Sequence, residues 1–396
     1  MLGGRAVGPA RPGRCGVTHL LVTNDFPPKV GGIQAYLWEL WRRLDPNDFA
    51  VLTASSSPDQ EAFDRDQGAR GVRIERVSSA VLAPTPGLVR RIRQSAARVG
   101  ANLVVIDPAF PLGVIGPRLG IPYAVVLHGA EVAVPGRLPI SRELVAHVLR
   151  HSSLAISAGG YPAAEARRAV HNHDMPPAVE IPPGVDLERF VPLTPDQRAE
   201  ARQDLGLPVS GPLVVSVSRL VPRKGMDVVV NAAVRLQPSF PDLTVAIAGR
   251  GRDSDRLSAR IAETGSPTRL LGAVSYDDLP RLIGAADVFV MACRNRWLGL
   301  EQEGFGIVFL EAAAAGVPQV AGRSGGAGEA VIDGETGLVV HRPGDIGEVA
   351  TAIGRLLDDE SLRHRLGAAS RRRAEASFDY DHLAPRLAAA LADVEG

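Results

Sequence analysis

From Val17 onward, short apolar runs alternate with longer stretches in which apolar residues return every three or four positions. A run of five or six apolar residues is too short for a buried helix and reads as a strand covered on both sides. The longer amphipathic stretches are then the helices that cross back over it. Repeating that unit leads to a parallel sheet with helices on both faces. Strands are expected near residues 18–23, 49–53, 72–77, 103–106, 123–127 and 154–157. The first helix is expected over 34–44, where Leu37, Leu40, Trp41 and Leu44 share a face. After Pro182-Pro183-Gly184-Val185-Asp186 the chain turns polar and charged as far as about Pro208. The pattern then restarts, with strands near 213–218, 243–248, 270–274, 288–291, 319–321 and 337–340. A chain of 396 residues is long enough for two domains of ordinary size, and the polar stretch marks their boundary, near residue 190.

Composition removes several classes of function. The 44 basic and 44 acidic residues balance, whereas a dedicated nucleic-acid binder carries a basic excess. Cys15 and Cys293 lie far apart with no ligand spacing, which points to a reducing compartment and neither disulfide framework nor zinc site. No apolar run approaches the roughly 18 residues that would span a bilayer. Residues 1–16 carry arginines but no apolar core of a secretory signal, so they read as a disordered leader. Asp64/Asp66, Asp253/Asp255 and Asp379/Asp381 are spaced like metal ligands but sit in polar loops and helix caps, so they read as solvated carboxylates and no metal site is expected. Asp253 or Ser254 is expected to cap one helix, and Ser275 with Asp278 to form a capping box for the next. Arg90, Arg91, Arg93 and Arg98 share a predicted helix with Leu88, Val89, Ile92 and Val99. Both a solvated arginine face and a face for anionic lipid fit that spacing.

Open parallel sheets bind ligands at the carboxyl ends of their strands, and the chemistry-bearing residues fall there. The first strand runs into Asn24-Asp25-Phe26-Pro27-Pro28-Lys29-Val30-Gly31-Gly32, whose glycines allow backbone N–H groups to approach a phosphate. A later strand ends in His128. The strand over 213–218 leads into Arg219 and, five residues on, Lys224, two fixed cations suited to a diphosphate. The stretch RNRWLGLEQEGFGIVFLEAAAAGV places Glu303 in a glycine-flanked turn and Glu311 inside the apolar helix that follows. The turn, with Gly304, Phe305 and Gly306, precedes a helix N-terminus whose bare N–H groups attract anionic or hydroxyl-rich ligands. Glu311 lies between Phe309-Leu310 and four alanines, where an unpartnered carboxylate is costly, and is expected to point into the same cleft as Glu303.

The E-x7-E frame in EGFGIVFLE resembles the signature of retaining glycosyltransferases of the GT-B fold, family 4. NDFPPKVGGIQAYLWEL, LHGAEV, PPGVD, SVSRLVPRKGMD, AGRGRD and LGAVSYDDLP extend the likeness over nearly the whole chain, toward actinobacterial phosphatidylinositol mannosyltransferases. The resemblance implies a GT-B α/β fold: two Rossmann-like β/α/β domains, over 17–190 and 191–378, facing across a cleft, with a last helix over 379–396 crossing back to the first. It implies metal-independent transfer of mannose from GDP-mannose, the donor substrate, to a phosphatidylinositol mannoside in α-1,6 linkage, without a bound cofactor. Its setting would be the cytoplasmic face of the plasma membrane, with an anionic membrane surface as peripheral partner. By the same resemblance, Gly31 and Gly32 would contact donor phosphate or sugar, and Asn24 and Gln34 would face the acceptor. His128 would approach the reacting face of the sugar. Arg219 and Lys224 would hold the diphosphate, Glu303 with Gly304 to Gly306 the mannose hydroxyls, and Glu311 the ribose. Gly249 and the edge from Leu271 to Val274 would border the base. The sequence departs from the family's pattern at Trp297-Leu298, where glycines are common, and at Gln302. Other family 4 donors, such as UDP-glucose, UDP-GlcNAc or UDP-glucuronate, share the same frame. A dinucleotide-dependent oxidoreductase would need G-x-G-x-x-G after the first strand, a form Gly31-Gly32 lacks. A non-catalytic sugar-binding protein would bind a nucleotide sugar without turnover.

Overall fold

The computed structural model describes residues 19–55, 58–170 and 175–395, so the expected leader and the first residue of the first strand lie outside it. Among the described residues, β1 (His19–Thr23), β2 (Phe49–Ala54), β3 (Arg73–Val77), β4 (Leu103–Asp107), β5 (Tyr123–Leu127), β6 (Leu154–Ser157) and β7 (Ala178–Glu180) form one parallel sheet in the order 3-2-1-4-5-6-7. A second parallel sheet, in the order 10-9-8-11-12-13, contains β8 (Leu213–Val217), β9 (Thr244–Ala248), β10 (Thr268–Gly272), β11 (Val288–Met291), β12 (Gln319–Gly322) and β13 (Gly337–Val340).

Alternation along the strands explains why helices cover both faces of the first sheet. Leu20, Val22, Val104, Ile106, Val125 and Leu127 point to one buried layer. Leu21, Leu103, Val105, Ala124 and Val126 point to another. Residue i and residue i+1 of a strand cannot share a face, so a strand apolar at every position requires a layer on each side. One layer is closed by the helix Gly32–Trp41 together with the last helix of the chain, Tyr380–Glu395. Tyr380, Leu383, Ala384, Leu387 and Leu391 enter that layer, although they follow the whole second lobe in sequence. Burying each leucine contributes on the order of 1.5–3 kcal/mol.

Two elements went unread in the sequence. Strand β7, exposed at Ala178 and Glu180, is too short and polar to signal itself. The helix Pro195–Asp204 lies in the polar stretch that marks the domain boundary. It lacks an apolar stripe, and its N-terminus is closed by a capping box in which Thr194 and Gln197 satisfy each other's N–H groups, with Pro195 at its first position. It is docked by charge instead: Arg198 and Arg202 reach Asp287 at 2.6 and 3.0 Å, and Asp287 also accepts from Leu213 N–H. Strand β10 sits two residues earlier than expected, because Gly272 turns to φ 69° and accepts from Gly249 N–H. The expected cap at Asp253 is absent; its carboxylate faces Arg256, and Ser254 bonds to Gly251. Ser275 does accept from Asp278 N–H, but the Asp278 carboxylate takes the serine hydroxyl rather than a backbone N–H.

Truncating Leu387, fully buried where the last helix meets the first sheet, removes contact that only this crossing provides. Leu387→Ala is expected to destabilise the first lobe by about 2–5 kcal/mol, read as a lowered midpoint in urea unfolding followed by hydrogen exchange of β1 and β4.

Candidate active site

The order of each sheet reverses at one place, between β1 and β4 in the first and between β8 and β11 in the second. Loops leaving these strands in opposite directions open a crevice. A chamber of about 430 Å³ lies there, lined by both lobes: Gly32, His128 and Glu131 from the first, Arg219, Lys224 and Glu303 among those from the second. Gly304, Phe305 and Gly306 line it too, as does the start of the helix Ile307–Ala314.

Glu303 is the centre of its charge. The carboxylate is buried, with Lys224 Nζ at 2.7 Å and Arg223 Nη1 at 3.9 Å. Burial alone would raise its pKa, but Lys224, Arg223 and Arg219 together hold it below the usual range, so it is ionised. Arg223 was passed over in the sequence, although it precedes Lys224. Its Nη1 is buried with no hydrogen-bond partner among the described residues, a cation poised for an anion.

His128 forms the opposite wall. Its Nε2 lies 2.5 Å from Asp107 Oδ1, and Asp107, fully buried, accepts the Thr23 hydroxyl at 2.6 Å on its other oxygen. Glu131 accepts from the N–H groups of His128 and Gly129 and fixes the turn. Burial disfavours the imidazolium, yet Asp107, Glu131 and Asp25 outweigh it and raise the His128 pKa. Asp107 is the carboxyl end of β4 and reads in the sequence only as a strand terminus; the sole hint was an acidic residue closing an apolar run. Burial raises the pKa of Asp25, with Asp107 adding to the effect.

The other expected residues divide. Gly31 and Gly32 stand at the lobe boundary, and a Cβ on Gly32 would sit 3.6 Å from Ile307 Cδ1. Behind that contact lies a larger cavity of about 850 Å³, lined by Gly31, Gly32, Trp38, Arg189, Tyr276 and Glu311 among others. Glu311 lines this second cavity, which adjoins the chamber of Glu303 and shares Gly32, Ile307 and Val308 with it. A glycine turn and one turn of helix separate the two carboxylates, and Ile307 and Val308 stand between. Glu311 Oε2 is sealed from solvent without a hydrogen-bond partner among the described residues, and burial pushes the carboxyl up to about 7 against the pull of Arg189. Gln34 lines the larger cavity with its amide given to Asp25. Asn24 lines neither cavity: its amide is closed on the backbone of Leu82, accepting at 2.7 Å and donating at 3.2 Å. Gly249, Leu271 and Val274 are likewise away from both linings. Gly249 is a packing glycine at φ 133°, where a Cβ would meet Ser218 O at 1.8 Å, and the other two pack on the core of the second lobe.

Two links cross between lobes without warning from the sequence. The Glu329 carboxylate, from the glycine-rich stretch after β12, accepts from the N–H groups of Gly160 and Tyr161 at 2.7 and 2.6 Å, capping the helix Gly160–Ala169. Arg137 Nη1 donates to Leu298 O at 3.2 Å. Leu298 and Trp297 form the tip of a turn with φ of 54° and 48°, a left-handed conformation that costs a bulky residue about 1–2 kcal/mol. Arg296 and Glu301 close its base through reciprocal backbone bonds and an ion pair at 2.9 Å.

A model of glycosyl transferases group 1 matches residues 197–373, and one of glycosyltransferase family 4 matches residues 30–189. The GDP-mannose-dependent α-(1-6)-phosphatidylinositol monomannoside mannosyltransferase of Mycolicibacterium smegmatis is 36% identical over 94% of this chain and 97% of its own. This chain belongs to glycosyltransferase family 4. The GDP-mannose-dependent monoacylated α-(1-6)-phosphatidylinositol monomannoside mannosyltransferase of Corynebacterium glutamicum is 33% identical, covering 93% of this family 4 chain and 96% of its own. The fold is shared with Anabaena HepE in complex with UDP and glucose, TM-score 0.77 at 21% identity over 95% of this chain and all of that one. Sucrose-phosphate synthase from Thermosynechococcus elongatus aligns with TM-score 0.79 at 23% identity over 96% and 99% of the two chains. The architecture is GT-B, two Rossmann-like lobes, and the protein is a glycosyltransferase.

The Asp107–His128 contact makes a titration prediction. Its stabilisation is full below about 6.5, the ordinary histidine value, and is lost as pH rises through the raised folded value. Asp107→Asn leaves burial as the dominant influence, so the His128 imidazole is expected to titrate at lower pH by NMR. Glu311 is shifted in the same direction, so its contribution also falls as pH rises, here because the ionised form is the disfavoured one. Its folded pKa of about 7 exceeds the ordinary 4.5, so ionisation penalises the folded state increasingly as pH rises between them and fully above 7. Glu311→Gln is expected to raise Tm at pH 8 but not at pH 4, a gain on the order of 1–3 kcal/mol.

Proposed function

We propose that this glycosyltransferase moves mannose from GDP-mannose to a phosphatidylinositol mannoside, forming an α-1,6 linkage with retention at the anomeric carbon. The observation that carries the reading is the buried Glu303 ringed by Lys224, Arg223 and Arg219 at the lobe junction. The identity of the relatives over nearly the full chain supports the donor and the acceptor class.

Departure of a diphosphate needs fixed positive charge at the oxygen that keeps the electron pair. Arg219 and Lys224 stand where they supply it, and the N–H groups at the start of the helix Ile307–Ala314 add to it. The anomeric C–O bond to phosphate breaks, the acceptor hydroxyl oxygen bonds to the same carbon from the same face, and its proton passes to the departing phosphate oxygen. Glu303, ionised, accepts from sugar hydroxyls while its other attraction keeps Lys224 in place. His128, held by Asp107, presents its second ring nitrogen to the sugar. The two lobes exclude water from the chamber and align the acceptor.

In this reading, Gly31 and Gly32 approach the donor at the lobe boundary, and Glu311, in the adjoining cavity, is the group available to the nucleoside end. The acceptor, a glycolipid, implies peripheral contact with an anionic membrane from the cytoplasmic side. Among the described residues no helix is long and apolar enough to cross a membrane.

The protein incubated with a panel of labelled GDP- and UDP-sugars and phosphatidylinositol monomannoside is expected to transfer mannose from GDP-mannose. Lys224→Ala and Glu303→Ala are each expected to lower kcat roughly 10²–10³-fold. Rates within twofold of the unaltered protein in both variants reject the site.

A further inference from the structure

Large apolar side chains stand in water at one side of the chamber mouth. Leu298 is 103% exposed and Trp297 61%. Facing them on the first lobe, the start of the helix Pro139–His151 leaves Leu138, Ile140 and Leu144 in solvent, the last two one turn apart on the same face. Arg137, next to Leu138, donates to the carbonyl of Leu298 and joins the two patches across the lobes.

The turn bearing Trp297 and Leu298 is held, not loose. Its base is closed by Arg296 and Glu301, and the Arg296 guanidinium lies 4.8 Å from the Trp297 ring centre. Two bulky residues kept left-handed at such a tip are aimed outward by the fold rather than left there by default. Arginines outnumber acids at the tip: Arg137, Arg252 and Arg296 stand there against Glu301, which pairs with both Arg252 and Arg296, and Arg142 follows on the helix beside Leu138. Apolar tips rimmed by arginine suit the boundary between anionic headgroups and acyl chains.

The basic helix Pro86–Val99 offers less. Arg91 and Arg98 are paired with Glu75, and Arg93 donates to the carbonyls of Arg118 and Leu119. These arginines serve the first lobe's own packing.

We propose that the Trp297-Leu298 turn and the 138–144 segment together form a docking face for an anionic phospholipid bilayer, which sets the chamber mouth on the lipid surface. Leu300, Glu301 and Gln302, the next residues along the loop, line the chamber, so the inserted tip and the transfer site are separated by a few residues. The choice of lipid as occupant rests on the glycolipid acceptor proposed above together with the arginine rim; the binding measurements below require no turnover, so they fail or succeed independently of that reading.

The full chain is to be floated with vesicles of phosphatidylcholine alone or with phosphatidylglycerol. The difference in emission between the unaltered protein and Trp297→Phe isolates the Trp297 signal. Flotation with the anionic vesicles only, a blue shift of that signal and its quenching by bromine-labelled acyl chains are expected. Leu298→Ser combined with Ile140→Ser is expected to weaken vesicle binding at least roughly tenfold. The double variant is also expected to slow transfer to acceptor presented in vesicles while leaving transfer to a deacylated, water-soluble acceptor unchanged. Absence of flotation, an unquenched Trp297 in floated protein, or unaltered binding by the double variant overturns the proposal. So does a dimer in sedimentation that Leu298→Ser dissociates, which assigns the face to a second copy of the chain.

Discussion

A carboxylate placed among cations in a cleft has to be paired or neutralised, and Glu303 is paired. Buried ion pairs contribute little net stability, because desolvation offsets most of the Coulomb attraction. The arrangement of Glu303 with Lys224 and Arg223 is therefore better understood as preorganisation: the cations are held where an anionic ligand meets them without further movement of the protein. It requires the loops after β8 and β11 to be neighbours, and those two strands are adjacent at the centre of the second sheet. Gly225, whose Cβ would stand 2.0 Å from Ala292 O, lets the two loops touch. The sheet order, the glycine and the ion pair form one dependency.

The first lobe contributes a different kind of order. Asp107 and His128 end adjacent strands β4 and β5, so their contact follows from the parallel register. Thr23, at the end of β1, completes the line. The second lobe reaches back through Glu329, whose carboxylate occupies the positive end of a first-lobe helix. Anions at that position gain from the bare N–H groups and the dipole, so the relative placement of the lobes is itself an electrostatic contact.

What the sequence disclosed follows the strength of its signals. Strands buried on both faces announce themselves as unbroken apolar runs, and the expected spans agree with them to within one residue at each end, except at β10, which is two residues out. The helix Pro195–Asp204 is held by a capping box and Arg–Asp contacts rather than an apolar stripe, so periodicity passes over it. Residue types at strand ends located His128, Arg219, Lys224 and Glu303, which line one chamber. Side-chain direction was not legible. Glu303 and Glu311 lie eight residues apart, and the intervening turn and first turn of helix set them against two adjoining cavities that share Gly32, Ile307 and Val308. Asn24 and Gln34, polar residues in the right loop, spend their amides on Leu82 and Asp25. Asp107 hid at the end of a hydrophobic run, because nothing local distinguishes a strand's last acidic residue from a solvated one.

The layer sealed by Leu383, Leu387 and Leu391 has a bearing on how the protein is made. A ribosome emits the first seven strands well before those leucines, with the entire second lobe in between. Throughout that interval the flank of the nascent first lobe has the helix Gly32–Trp41 but lacks the rest of its cover. That flank closes only once residues 383–391 have been made, after the whole of the second lobe.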